Sequence, residues 1–217
     1  MKILIADDHP IFRKGLLQIL QSIIPDIEIL ECSEGNEAIN KIKQHQPDIA
    51  ILDIDMPLKN GLEVCKNINE ENLPTAVIIL TMYKEEEVLK KALLYGAKGY
   101  IVKDNSANEI ENCINNVLRG EVYIGKGINS NSQQINKELQ ELKNTLQSLT
   151  QVELKTLKLV SKRLSSKEIA ELLFVSVKSV ENYRSRICKK LGLDARNNSL
   201  LHWVIENKEL LDTIKEL

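Results

Sequence analysis

Ile49-Ala50-Ile51-Leu52-Asp53-Ile54-Asp55-Met56-Pro57 is a short apolar run that stops on a carboxylate and is broken soon after by a proline. Such a run, with no polar residue alternating through it, suits a strand buried on both faces of a parallel sheet. Apolar runs at 3–6, 27–30, 76–81 and 100–102 have the same character. Helical periodicity fills the spaces between and after them, over 11–23, 37–45, 61–69, 85–95 and 107–118. Five strand–helix repeats describe an α/β fold: a five-stranded, doubly wound parallel sheet with helices on both faces.

Sheets of this kind bind ligands beyond the C-terminal ends of their strands. Asp7 and Asp8 end the first run, Asp53 the third, Thr81 the fourth and Lys103 the fifth. One edge of the sheet therefore gathers three carboxylates, a hydroxyl and an ammonium. A single aspartate after a strand would be a turn or cap residue, but the repetition at successive strand ends points to chemistry. Clustered carboxylates repel one another, and an oxygen-rich set suits Mg²⁺. A carboxylate beside Mg²⁺, with a lysine and a hydroxyl for phosphoryl oxygens, is equipped as the nucleophile of a phosphoryl transfer.

The Asp7-Asp8 pair, Asp53 followed by Met56-Pro57 and Gly61, Thr81, and Gly99-Tyr100-Ile101-Val102-Lys103-Asp104 together resemble a receiver domain of flavodoxin-like fold. The resemblance implies that Asp53 accepts a phosphoryl group from a sensor histidine kinase. It implies that Asp8, Asp53 and the backbone carbonyl of Asp55 ligate Mg²⁺, with Asp7 acting through water. Lys103 and Thr81 would hold phosphoryl oxygens, and Tyr100 would follow Thr81 inward as a switch. By periodicity alone, Tyr100 also reads as an ordinary strand aromatic half packed on the surface. Receivers vary at the positions of Asp55 and Tyr83, which bear on how long the aspartyl phosphate survives.

Hydrophobic residues make up 43% and charged residues 28% of the 217, ordinary for a globular chain. Cys32, Cys65, Cys113 and Cys188 are scattered, with no metal-ligand spacing, and read as reduced core residues. No apolar stretch approaches a membrane span or a signal peptide, so a cytoplasmic protein is expected. Residues 1–125 carry 13 basic against 20 acidic side chains, a net of −7, whereas residues 150–198 carry 11 against 5, a net of +6. The chain thus divides into an acidic and a basic module, the second suited to a polyanion.

After Gly125 the composition turns to Asn, Ser, Gln and Lys, as in a linker. Ile135, Leu139, Leu142, Leu146 and Leu149 form a seam of about two heptads, suited either to packing on a domain or to dimerisation. Beyond it the pattern gives four helices. Thr150-Gln151-Val152-Glu153 and Ser165-Ser166-Lys167-Glu168 have the form of capping boxes for the first two. Ser176 caps a third over 177–191, stopped by Gly192, and a fourth spans 199–207. In the third, Val177, Val180, Ile187 and Leu191, with Tyr183, make the apolar stripe. Lys178, Glu181, Asn182, Ser185 and Lys189 make the polar one.

Leu149-Thr150, Glu153, Leu157, the 166–170 segment Ser-Lys-Glu-Ile-Ala, the 175–182 segment Val-Ser-Val-Lys-Ser-Val-Glu-Asn and Lys190-Leu191-Gly192 resemble the LuxR-type helix-turn-helix domain. With the receiver, the chain is identified as a member of the NarL/FixJ subfamily of response regulators. The expected organisation is a receiver over 1–121, a partly helical linker over 122–147 and a LuxR-type domain over 148–217. The resemblance implies control of transcription by binding double-stranded promoter DNA, and no enzymatic turnover beyond acceptance and loss of the phosphoryl group. Glu181, Asn182 and Ser185 are the candidate base readers; Lys178, Arg184, Arg186 and Lys189 suit phosphates, and Ser179 suits either. A homodimer is expected on DNA or upon phosphorylation, paired through Leu200, Leu201, Val204 and Ile205 of the last helix, unless these pack within the monomer. RNA polymerase is among the candidate partners.

Two rivals deserve comparison. Asp53-Ile54-Asp55 is similar to the nucleophile–acid pair of haloacid-dehalogenase phosphatases, but Pro57 stands where those enzymes carry a threonine. The other is a receiver that no longer takes phosphate and answers to another ligand.

Overall fold

The structure, a computed structural model, describes residues 1–104, 107–128, 132–194 and 198–213. The chain forms two compact units, Met1–Asn136 and Lys137–Leu217. Of the expected linker, residues 129–131 lie outside the described residues.

In the first unit, strands β1 (Lys2–Ala6), β2 (Glu28–Cys32), β3 (Ile49–Leu52), β4 (Ala76–Thr81), β5 (Gly99–Val102) and β6 (Tyr123–Ile124) form one parallel sheet in the order β2-β1-β3-β4-β5-β6. Helices α1 (Pro10–Ile23) and α5 (Ala107–Leu118) cover one face. The other carries α2 (Gly35–His45), α3 (Gly61–Glu70) and α4 (Glu86–Leu94). Strand alternation explains both cores. Ile3, Ile5, Ile49, Ile51, Ile78, Leu80 and Ile101 meet Leu16 and Leu20 of α1 and Ile110, Cys113, Ile114 and Val117 of α5. The intervening residues, Leu4, Ala50, Leu52, Ile79 and Tyr100 among them, are equally buried. β3 and β5 are buried at every position, as the apolar runs require.

The sheet has one strand more than expected. Tyr123 and Ile124 pair with Gly99 and Tyr100, and buried Glu109 fixes the segment by accepting hydrogen bonds from the Lys126 amide (2.7 Å) and the Tyr123 hydroxyl (3.5 Å). Two residues at a sheet edge, just before a glycine, leave no periodic pattern to read. β2 also runs later than the 27–30 expected. It is an edge strand in which exposed Glu28 and Glu31 interrupt the apolar sequence.

Helix α6 (Ser132–Gln147) carries the heptad seam; Ile135 and Leu146, with Leu149 beyond it, are buried and Leu139 and Leu142 half-buried. In the second unit, helices α7 (Gln151–Ser161), α8 (Ser166–Leu173), α9 (Val177–Lys190) and α10 (Ser199–Glu206) match the four expected, and a short α11 (Lys208–Thr213) follows. Both anticipated capping boxes are formed. Glu153, buried at the N-terminus of α7, also takes the Lys190 ammonium at 2.7 Å, and Lys190 donates in turn to the Ser148 carbonyl at 2.9 Å. One carboxylate thus caps α7 and ties it to the end of α9. Ser176 caps α9 by accepting from the Ser179 amide, and Gly192, at φ +66°, takes the left-handed conformation that ends it.

Candidate functional site

Parallel pairing of β1, β3, β4 and β5 aligns their C-terminal ends, so the residues that follow them converge. The Asp53 amide donates to the Ala6 carbonyl at 2.8 Å, and the Lys103 amide to the Thr81 carbonyl at 2.7 Å. Asp7 (2% exposed), Asp53 (4%) and Thr81 (0%) are buried in this pocket. The Lys103 ammonium sits 2.6 Å from Asp53 Oδ2 and 2.8 Å from Asp7 Oδ2. Asp7, Asp8, His9 and Asp53 each bring a ligand atom within 4.8 Å of one another.

The loop after β3 is held by the start of α3. Asn60 and Glu63 form a reciprocal capping box, and the Gly61 amide donates to the Ile54 carbonyl at 3.0 Å. A Cβ on Gly61 would lie 2.0 Å from the Asp53 carbonyl oxygen, so only glycine permits this approach.

The electrostatics follow from burial and charge. Burial pushes the Asp53 carboxyl above the ordinary carboxylate range and Asp7 adds to this, against the opposing pull of Lys103. For Lys103 burial disfavours the charge, but hydrogen bonds to Asp53 and Asp7 outweigh it and hold the ammonium above the usual lysine value. Buried carboxylates of one sign call for a hard cation, and the Asp7, Asp8 and Asp53 oxygens fit Mg²⁺.

Tyr100 is fully buried, not half packed on the surface, and its hydroxyl donates to the Tyr83 carbonyl at 3.0 Å. Burial, then the Glu85 charge, keeps this phenol a donor by raising its pKa. The Tyr83 amide reaches Thr81 Oγ1 at 3.3 Å, and its hydroxyl donates to Asp55 Oδ1 at 3.2 Å. The Asp55 side chain therefore engages the loop after β4.

Three contributors escaped the sequence reading. The His9 ring lies 2.6 Å from Asp8 Oδ1 through Nδ1. Arg13 donates to the Asp7 carbonyl at 2.6 Å while pairing with Glu31 at 3.1 Å. Phe12 lies beneath the Lys103 ammonium, 4.5 Å from the ring centroid. His9 directly follows the aspartate pair and Arg13 stands four residues later, a signal present in the spacing.

In the second unit α9 presents Lys178, Glu181, Asn182, Ser185, Arg186 and Lys189 to solvent, while Ser179 and Arg184 are half-buried. Its buried face is Val180, Ile187 and Cys188; Tyr183 and Leu191 are half-buried. Val177, assigned to the apolar stripe from its spacing, is instead 42% exposed at the first position of α9, where the helix has no preceding turn to flank it. Lys178 and Glu181 pair across one turn at 3.3 Å. In α10, Leu200 and Val204 pack within the unit and Leu201 is half-buried, while Ile205 remains 48% exposed. Among the described residues, no helix is long and apolar enough to cross a membrane.

Residues 3–115 match the response regulator receiver domain, and residues 147–202 the luxR family of bacterial regulatory proteins. The chain is 38% identical to the oxygen regulatory protein NreC of Staphylococcus carnosus over 98% of its own length and 100% of the relative's. It is 35% identical to NreC of Staphylococcus epidermidis, over 97% and 99%. Among solved structures, the signal receiver domain of NarL from Mycobacterium tuberculosis is 32% identical with a TM-score of 0.53, over 55% of this chain and 97% of that one. A LuxR-family DNA-binding response regulator from Staphylococcus aureus is 33% identical with a TM-score of 0.51, over 54% and 98%. The acidic pocket at the sheet edge, the solvent-facing polar stripe of α9 and these matches agree: the chain belongs to the NarL/FixJ-type response regulators, with a receiver domain followed by a LuxR-type DNA-binding domain.

Proposed function

We propose that Asp53 accepts a phosphoryl group from a sensor histidine kinase, and that the phosphorylated chain binds promoter DNA through α9 as a homodimer to regulate transcription. The observation that carries this reading is the Lys103 ammonium bridging Asp53 and Asp7 in a pocket that also buries Thr81. An Asp53 oxygen attacks the phosphorus of the phosphohistidine, the P–N bond breaks with its electron pair going to the imidazole nitrogen, and that nitrogen takes a proton from solvent as the imidazole leaves. Asp8, Asp53 and the Asp55 carbonyl would hold Mg²⁺, with Asp7 acting through water, and the ion would supply positive charge to offset that on the phosphoryl oxygens. Lys103 and the Thr81 hydroxyl take the remaining oxygens. As Thr81 turns toward the phosphoryl group, its hydrogen bond from the Tyr83 amide is given up, and Tyr100 registers the change through its bond to Tyr83.

On DNA, Glu181, Asn182 and Ser185 read base edges, and Lys178, Arg184, Arg186 and Lys189 fix register on phosphates, with Ser179 serving either role. Exposed Ile205 and half-buried Leu201 of α10 offer an apolar contact for a second copy. RNA polymerase is a further partner of such a complex, in the cytoplasm.

The test is capture of fragmented genomic DNA, with and without acetyl phosphate and Mg²⁺. Enrichment of a paired half-site that needs the phosphoryl donor and disappears in Asp53→Asn supports the reading. Equal enrichment in all conditions overturns the switch while leaving the DNA-binding half standing.

A further inference from the structure

Among the described residues Lys103 meets two carboxylates and one aromatic ring. Its ammonium lies 2.6 Å from Asp53 Oδ2, 2.8 Å from Asp7 Oδ2 and 4.5 Å from the centroid of the Phe12 ring. The first turn of α1 aims that ring inward. Ile11 beside it is 89% exposed, whereas Phe12 is half-buried against the core of the α1 face. Arg13, next along the turn, holds the Asp7 carbonyl. One helical turn thus braces both the Asp7 backbone and the cation of the pocket.

The two kinds of partner behave differently during the reaction. When Asp53 becomes an acyl phosphate its oxygen loses its charge, and the ammonium must exchange that contact for a phosphoryl oxygen. Asp7 likewise answers to whatever cation binds beside it. The ring face is negative, carries no proton and imposes no hydrogen-bond direction, so its attraction for the ammonium is the same before and after the exchange. The Lys103 side chain is 8% exposed, which keeps water from screening the contact.

We propose that Phe12 is a positioning residue: its ring face seats the Lys103 ammonium and holds it in line while the ammonium passes from Asp53 to the incoming phosphoryl group. The proposal rests on Asp53 being the acceptor.

The chain has two phenylalanines, Phe12 and Phe174, and Phe174 lies in the other unit, 95% exposed at the end of α8. In the full-length Phe174→Leu chain, fluorinated phenylalanines therefore enter at position 12 alone. They weaken the negative ring face stepwise at nearly constant volume, and cyclohexylalanine removes it while filling the same space. Phosphoryl uptake from acetyl phosphate with Mg²⁺, followed by intact mass, should slow with each added fluorine. The loss should reach about 3- to 10-fold for the trifluoro ring and for cyclohexylalanine, and Phe12→Trp should retain the full rate. The Lys103 ε-methylene protons should show an upfield ring-current shift that cyclohexylalanine abolishes. A rate indifferent to fluorination, with cyclohexylalanine matching phenylalanine, overturns the proposal and leaves Phe12 as packing. If the unsubstituted chain takes up no phosphoryl group, the acceptor reading itself fails. The ring-current shift then still shows whether the ammonium sits on the ring.

Discussion

Glu153 shows how much one side chain can be asked to do. Its carboxylate caps α7 through the Thr150 amide at 2.9 Å and neutralises Lys190 at 2.7 Å, with 3% of the side chain exposed. Burial raises its pKa, but the Lys190 and Thr150 hydrogen bonds outweigh burial and hold it below the ordinary value of 4.5. A carboxyl whose pKa is depressed on folding contributes stability that is present above the unfolded value and lost as pH falls through the folded one. The second unit of the native chain should therefore weaken below about pH 4.5, a slope that Glu153→Gln reduces, Glu168 keeping its own share, together with a loss of about 1–3 kcal/mol at neutral pH. Urea titration monitored at Trp203, the chain's one tryptophan, reads this directly. On the exposed face of α9, Asn182→Ala should cost about 1–3 kcal/mol on a specific site and relax its sequence preference. Lys189→Ala should instead weaken all sequences alike and flatten the salt dependence by about one unit of slope. Binding isotherms at several salt concentrations separate the two.

At the level of elements, α3 illustrates why the loop after β3 tolerates little change. The Gly61 Cα abuts the Asp53 carbonyl, and an added Cβ would stand 2.0 Å from that oxygen. Gly61→Ala should push the start of α3 away, lower stability by about 1–3 kcal/mol in a urea melt and slow phosphoryl uptake at Asp53. The elements that bury both faces were legible in the sequence, because Ile49–Leu52 and Ala76–Thr81 are apolar at nearly every position, the first followed at once by Asp53 and the second ending on Thr81. The capping boxes at Thr150 and Ser165 were equally plain, since their logic is local. Edge elements were not. Tyr123–Ile124 is held by partners distant in sequence, Gly99, Tyr100 and Glu109, and α11 has too few residues for a period to show. Phe12 was hidden for a related reason: it looks like any core aromatic until the fold brings Lys103 beside it.

The molecule as a whole contains two hydrophobic cores of different construction, an α/β sheet over 1–136 and a helical cluster over 137–217. The acidic pocket belongs to the first alone, and Trp203 to the second. Mg²⁺ should therefore raise the unfolding midpoint of the first unit, seen by far-ultraviolet circular dichroism, while leaving the Trp203 transition in place. A common shift of both transitions would mean that the units unfold as one. The charge asymmetry belongs to this scale too: the carboxylate pocket lies in the acidic module and the LuxR-type DNA-binding domain in the basic one.

The central claim is that Asp53 is the acceptor, and the intact mass of the chain after incubation with acetyl phosphate and Mg²⁺ tests it most directly. The account predicts a gain of one phosphoryl group in the native chain and none in Asp53→Ala. No gain in the native chain, or an equal gain in the variant, would contradict it.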